Sequence, residues 1–365
     1  MRLSREELTK KIEENNCKYS LSWSKLHCFI DDPFSFMLKY LRHIPEEKSN
    51  SYAFLGDVVH NGLEAFYKDE KTGLPVYSLF GDDISEGIKA LSSLDTVIFD
   101  IQDVGARFYT YAYTMTDAMK LCAEHGKKFV VLDRPNPLGG NKVEGTILDR
   151  RFSSFVGRFP TPTGCGLTIG EFALMMNETE NIGCDLTVVP MEGWERNMYY
   201  DDTDLVFVQP SPNIPTVDTA FTYIGTCIFE ETNLSEGRGT TKPFEMIGAP
   251  WLDSKAVIEK IGKQEGVILR ECSFTPTFSD YKDVFCHGIQ LHVTDRDCFS
   301  SFAVGIRLMD AVRKNHKEFC VEPDITKLVG TDDVLKPDFN VDEFIKQEEE
   351  KCAEWQEYSK KWYLY

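Results

Sequence analysis

Histidine is scarce in this 365-residue chain, and none of its 7 copies stands in an HExxH or HxH pair. No metal site of recognisable spacing is therefore written into the sequence. The 11 cysteines are scattered without a CxxC pair, which excludes a zinc ribbon or dithiol redox site and suits reduced, buried thiols in a cytoplasmic protein. Basic residues are outnumbered, 40 Lys and Arg against 59 Asp and Glu, for a formal charge of −19. Such a surface repels phosphate backbones, so nonspecific binding to nucleic acid or anionic membranes is not expected. No stretch of about 18 consecutive apolar residues could span a membrane. The charged opening MRLSREELTKKIEENN has no apolar centre, so no secretory signal is expected there. A GxSxG elbow is absent, and the glycines fit neither GxGxxG nor a Walker loop, which removes a serine-hydrolase triad and nucleotide binding.

What remains divides near residue 70. The front segment reads as helical: Ser4 to Asn15 with a Ser4/Glu7 capping box, a second helix opening near Ser22 or Ser24, and a third over Gly56 to Tyr67. From Lys71 onward strands and helices alternate. TVIFDI (96–101) and KFVVLDRPNPLGG read as parallel strands buried on both faces, DLTVVPM as a third, with helices over 109–124 and LTIGEFALMMNET between them. This order predicts a Rossmann-like parallel sheet over 71–220 and a smaller α/β domain over 221–365, with ligands at the carboxyl ends of the strands. Residues 211–251 read as one loop-rich stretch, and SKAVIEKIGKQEG, SSFAVGIRLMDAVRKNH and the charged C-terminal stretch as helices.

Three polar constellations stand out. In DIQDVGARFYTY, Asp103 and Arg107 follow a strand; they either serve chemistry or form a structural pair at a helix start. In LDRPNPLGGNKVEG, Asp133, Arg134, Asn136 and Glu144 surround a rigid Pro/Gly loop, with turn capping as the alternative. The densest, ETNLSEGRGTTKPFE, gathers Glu230, Glu231, Asn233, Glu236, Arg238, Thr240 and Glu245 around Gly237 and Gly239. With histidine, serine and metal sets eliminated, carboxylates remain as the catalytic groups, which suits glycoside hydrolysis.

The ordered motifs VIFDIQDVGARFYTY, FVVLDRPNPLGG, VEGTILD, PSPNIPTVDTA, NLSEGRGTTKPFEMIGAPW, FTPTFSDY and GIQLHVTDR, preceded by TGLPVYSLFG, resemble the exo-β-N-acetylmuramidase (NamZ-type) glycosidases. That resemblance implies a Rossmann-like domain joined to a smaller α/β domain, an active site between them, and release of N-acetylmuramic acid from non-reducing ends of peptidoglycan fragments without a cofactor. Residue type and loop position then nominate Glu236, Glu144 and Asp103 as acid/base groups. Arg107, Arg134 and Arg238 are expected to grip the lactyl carboxylate. Asn136, Asn213 and Thr240 orient sugar hydroxyls, with Asp133 and Asn233 completing the substrate-binding set. The partners expected are peptidoglycan-derived sugars or muropeptides.

Two departures stand beside the resemblance. The Pro-Glu-His-Gly string that supplies a glutamate in such enzymes occurs nowhere in the chain, and Cys165 precedes the glycine in TPTGCGLTIGE where many relatives carry a basic or aromatic residue. Residues 1–70 instead resemble the opening of RecB-like PD-(D/E)XK nucleases, with Gly56 to His60 as their Gly-x-x-x-His motif. The expected join falls near Asp69–Lys71 and leaves a sheet edge short of its partners. The alternative functions are therefore a noncatalytic muropeptide-binding protein and, less favoured by the acidic balance, a metal-dependent nuclease.

Overall fold

The computed structural model describes residue 91 and residues 93–365. The front helices, the Gly56–His60 motif and the join at 69–71 lie outside the described residues. Three strands, β1 (Thr96–Phe99), β2 (Lys128–Leu132) and β3 (Asp185–Val189), form a parallel sheet in that order, with Val97 opposite Phe129 and Phe129 opposite Leu186. Phe129 and Val131 on the middle strand are fully buried. β1 departs from the expectation of burial on both faces, because Ile98 is 62% exposed. Within the described residues β1 pairs with β2 alone, so one of its flanks has no strand to cover it.

Helix α1 (Tyr111–Glu124) buries Met115, Met119 and Cys122, residues four and three apart on one face. It ends where His125 donates to Leu121 O and Gly126 takes a positive φ that a side chain would resist. Helix α2 (Ile169–Thr179) opens with a capping box: the Thr168 hydroxyl accepts from the Glu171 amide while the Glu171 carboxylate accepts from the Thr168 amide.

A second core surrounds an antiparallel sheet of β4 (Met246–Ala249), β5 (Val267–Phe274) and β6 (Cys286–Val293), with β6 in the middle. Residues 211–251, which read as loop, contain helix α3 (Val217–Thr226), all of whose residues except Asp218 are buried. Its Val, Ile, Gly and three Thr are weak helix formers, so propensity does not mark it out. Helix α4 (Ser254–Ile261) is capped by Asp253 and packs on the sheet, and α5 (Ser301–Asn315) crosses α3. The crossing is close. A Cβ on Gly225 would lie 1.9 Å from Ser301 O, and one on Gly305 2.1 Å from Gly225 O. After the short α6 (Ile325–Val329), the last helix, α7 (Val341–Ser359), places Phe344 in this second core and Trp355 in the first.

These contacts predict that Gly225→Ala and Gly305→Ala each drive α3 and α5 apart. Each should cost about 3 kcal/mol, read as a lowered urea midpoint at unchanged slope.

Candidate active site

The loop leaving β1 turns at Gly105, whose φ of +78° and lack of a side chain admit Asn136; a Cβ there would lie 2.3 Å from Asn136 Oδ1. The Gly105 amide donates to Asp103 Oδ1 at 2.7 Å, while Asp103 Oδ2 has no protein partner. Burial raises the Asp103 carboxyl to about 7, against the opposing pull of the Gly105 and Val104 amides. Arg107, only 5% exposed, directs its guanidinium at backbone: Nη1 donates to the carbonyls of Thr146 and Thr161, and Nη2 to those of Leu328 and Val329. Burial lowers its pKa to about 10, which still leaves it charged at neutral pH. Asn136 likewise serves the loops, donating to Leu167 O and accepting from the Leu138 amide.

Two other nominated carboxylates hold helices. Asp133 accepts from the Gly170 and Arg134 amides on Oδ1 and from the Thr168 and Tyr365 hydroxyls on Oδ2, so it caps α2 with no lone pair to spare. Glu144 accepts from the Phe302 amide at 2.9 Å and from the Ser300 hydroxyl at 3.3 Å, capping α5. Burial raises its pKa, and Lys142 together with those donors opposes the shift. Arg134 is partly exposed and forks onto Asp100 through Nε at 2.8 Å and Nη2 at 2.6 Å.

In the second core, Gly237 and Gly239 (φ +81° and +82°) fold the Ser235–Thr241 loop tightly; a Cβ on Gly239 would meet Phe278 O at 2.4 Å. The Thr240 hydroxyl closes this turn on Gly237 O, and the Asn233 amide clamps Glu318 O and the Cys320 amide. The folded loop brings Arg238 against two carboxylates, Glu236, with which its Nε makes a close ion pair, and Glu230, at 3.4 Å from Nη1; Asp280 stands within electrostatic reach. Glu236 is fully buried and its Oε2 has no protein partner. Burial raises Glu236, Glu230 and Asp280 alike, with Arg238 opposing in each case. Buried Glu236 and half-buried Glu230 share one cation, and with Glu230 raised to about 7 the pair retains a proton near neutrality.

Rings link the two acid centres. Phe108 meets Tyr223 edge-on at 5.8 Å, Tyr223 meets Phe244 at 4.6 Å, and the Arg238 guanidinium lies over Phe244 at 5.9 Å. The structure thus draws the Asp103 loop and the Glu236–Arg238 loop to either side of Tyr223, while Glu144, Asp133, Asn136, Asn233 and Thr240 brace the backbone. Asn213 is half-buried beside Ser211, whose hydroxyl accepts from its amide. Asp280, Tyr109 and Tyr223 were not among the nominated residues, although Asp280 and Tyr109 stand in quoted motifs; Glu230 was noted in its loop without a role. A hollow of about 30 Å³ adjoins Asp103 and Arg107. A groove of about 490 Å³ lies on the second sheet among Trp251, Asp253, Glu271 and His287 and contains none of the nominated residues. Among the described residues no group of His, Cys, Asp and Glu is arranged to hold a metal, and no helix is long and apolar enough to cross a membrane.

Comparison with known proteins places this arrangement. Residues 46–218 match the family described as exo-beta-N-acetylmuramidase NamZ, N-terminal, and residues 221–365 its C-terminal counterpart. The chain belongs to the NamZ family. It is 44% identical over 329 residues to the peptidoglycan beta-N-acetylmuramidase NamZ of Bacillus subtilis (strain 168), covering 88% of this chain and 78% of that one. Two crystal structures of DUF1343 family proteins from Bacteroides fragilis NCTC 9343 share its fold. One has 34% identity and a TM-score of 0.73, covering 81% of this chain and 82% of its own; the other has 32% identity and a TM-score of 0.66, covering 81% of each. The NamZ match opens at residue 46, so it takes in residues 46–70 of the segment that resembles nucleases.

The Asp103 shift carries a sign. An unfolded aspartate releases its proton near pH 4, whereas the folded one holds it to about 7, so the folded state binds more protons across that window and stability falls as pH rises through it. Asp103→Asn removes the decline. Its stability relative to wild type should climb between pH 4 and 7, by on the order of 2–4 kcal/mol, in urea titrations across that range. Parallel pH curves for the two proteins would contradict the assignment. Glu144→Ala should cost about 1–2 kcal/mol through the lost α5 cap, read in the same titrations.

Proposed function

We propose that this chain hydrolyses β-N-acetylmuramides, releasing N-acetylmuramic acid from the non-reducing ends of peptidoglycan fragments. The observation that carries the reading is its 44% identity, over 88% of its length, to an enzyme named for that reaction. Glycoside hydrolysis needs one acid to protonate the departing oxygen and a second carboxylate at the anomeric carbon. Asp103, protonated up to about pH 7, is the acid in this reading. Glu236, held by Arg238, is the second carboxylate, with Glu230 sharing its proton. Arg134 and Arg238 receive the lactyl carboxylate, and Asn213 a ring hydroxyl. Arg107, Asp133, Asn136, Glu144, Asn233 and Thr240 set the loops that present these groups.

The finer architecture belongs to the same proposal: a Rossmann-like unit over 71–220 and a smaller α/β unit over 221–365. The nine cysteines among the described residues are all free, which supports a reducing, cytoplasmic location. The net charge of −19 supports sugars over nucleic acid as partners. Absence of the Pro-Glu-His-Gly string favours one rival, a muropeptide-binding protein without turnover.

Purified protein should cleave a chromogenic β-N-acetylmuramide, with Asp103→Asn and Glu236→Gln each lowering kcat/KM by about 100-fold or more. Full activity in either variant removes that residue from the mechanism. Calorimetric binding of a muropeptide with no turnover would instead establish the rival.

A further inference from the structure

The groove on the second sheet lies where the start of α4 meets β5 and β6, and none of its residues belongs to the two acid centres. Its volume, about 490 Å³, is that of a ligand pocket. Trp251 forms one wall. Asp253 and Ser254 stand at the opening of α4, Glu271 and Ser273 on β5, and His287 on β6 directly opposite Ser273. Ser254 is only 6% exposed, and its hydroxyl has no hydrogen-bond partner. A buried hydroxyl left unmet costs about 1–3 kcal/mol, so a groove lined by one calls for a polar occupant.

The lining selects that occupant by charge and by hydrogen bonding. It carries the carboxylates of Asp253 and Glu271 and no lysine or arginine, so it repels a carboxylate or a phosphate. A bare ammonium would meet the two acids but has no lone pair for the hydroxyls of Ser254 and Ser273 or for the imidazole N–H of His287. Sugar hydroxyls donate to carboxylates and accept from hydroxyls, an acetamido carbonyl accepts as well, and the apolar face of a pyranose packs on an indole. We propose that this groove is a second carbohydrate site, which takes a neutral N-acetylhexosamine of the glycan. The inference rests on the reading of the chain as a peptidoglycan glycosidase and deepens it. The two alternating sugars of that polymer differ by the lactyl carboxylate: Arg134 and Arg238 suit the sugar that bears it, and the acid-lined groove suits the one that does not.

The groove is tied to the second acid centre. The Trp251 indole N–H donates to Tyr281 Oη at 3.3 Å, and Tyr281 Oη donates to Asn233 O at 2.8 Å, three residues before Glu236. Asp280, next to Tyr281, lies within electrostatic reach of Arg238. His316 braces Trp251 and Asp253 together: its ring stands 5.4 Å from that of Trp251, and its Nε2 accepts from the Asp253 amide at 2.9 Å. The indole wall is thus fixed before any ligand arrives. A sugar seated against it keeps the glycan on the lobe that carries Glu236 and Arg238.

The test is titration of the full chain with N,N′-diacetylchitobiose, a neutral disaccharide, followed by ¹H–¹⁵N NMR. The Trp251 indole signal and the Ser254 and Ser273 amide signals should move with a Kd on the order of 1 mM, while N-acetylmuramic acid leaves them in place. Glu271→Ala should raise that Kd by about 10-fold or more and Ser254→Ala by about 3–10-fold. One substitution removes an exposed carboxylate and the other a hydroxyl without a partner, so both retain the fold. Unmoved groove signals at about 10 mM disaccharide, undiminished binding in either variant, or a response to the amine of Nα-acetyl-lysinamide in place of the sugar would overturn the proposal. The titration needs no turnover. Binding at the groove without cleavage of a muramide would sink the enzyme reading alone, and cleavage with silent groove signals would sink the groove alone.

Discussion

The architecture of the site depends on a buried guanidinium. Arg107 holds carbonyls from Thr146, Thr161, Leu328 and Val329, four points on segments up to 222 residues from it in sequence. A desolvated cation is costly unless its N–H groups are met, and here backbone oxygens meet the two terminal nitrogens. The arrangement fixes the loops after β1 and β2 against the residues around α6. Asp103, four residues upstream, inherits that rigidity, and the burial that lowers the arginine also raises the acid. Desolvation therefore acts on the scaffold and on the carboxyl alike.

The second acid centre follows a different rule. Asp103 is raised by burial with only backbone amides opposing it, whereas Glu236 and Glu230 share a cation. Both centres are raised, Asp103 and Glu230 each to about 7, so two different environments bring carboxyls into the range where acid/base chemistry operates. Phe108, Tyr223 and Phe244 pack edge to face in one run that ends beneath the Arg238 guanidinium.

Much of the frame was readable before any coordinates. β1, β2, β3 and the helices α1, α2, α4, α5 and α7 fall where hydrophobic period and caps put them. Sequence reading failed at α3, whose Val, Ile, Gly and three Thr are weak helix formers, and at β4, four buried residues without the polar alternation of a half-exposed strand. The site was legible by loop and ambiguous by residue. Asp103, Asp133 and Glu144 are all acids in loops of the first lobe, yet two of them cap helices and one does not. Only the direction of the neighbouring amides separates them, and that direction is set by tertiary contacts. Glu230 and Asp280 escaped nomination for a related reason, since they join Glu236 through Arg238 across segments that sequence spacing does not connect.

Helix α7 begins among the side chains of one core and finishes among those of the other. A rod seated at both ends resists any scissor-like opening of the two halves, because parting them would unseat either Phe344 or Trp355 from its apolar bed. Opening between the two cores would therefore carry the cost of exposing one of those side chains to water.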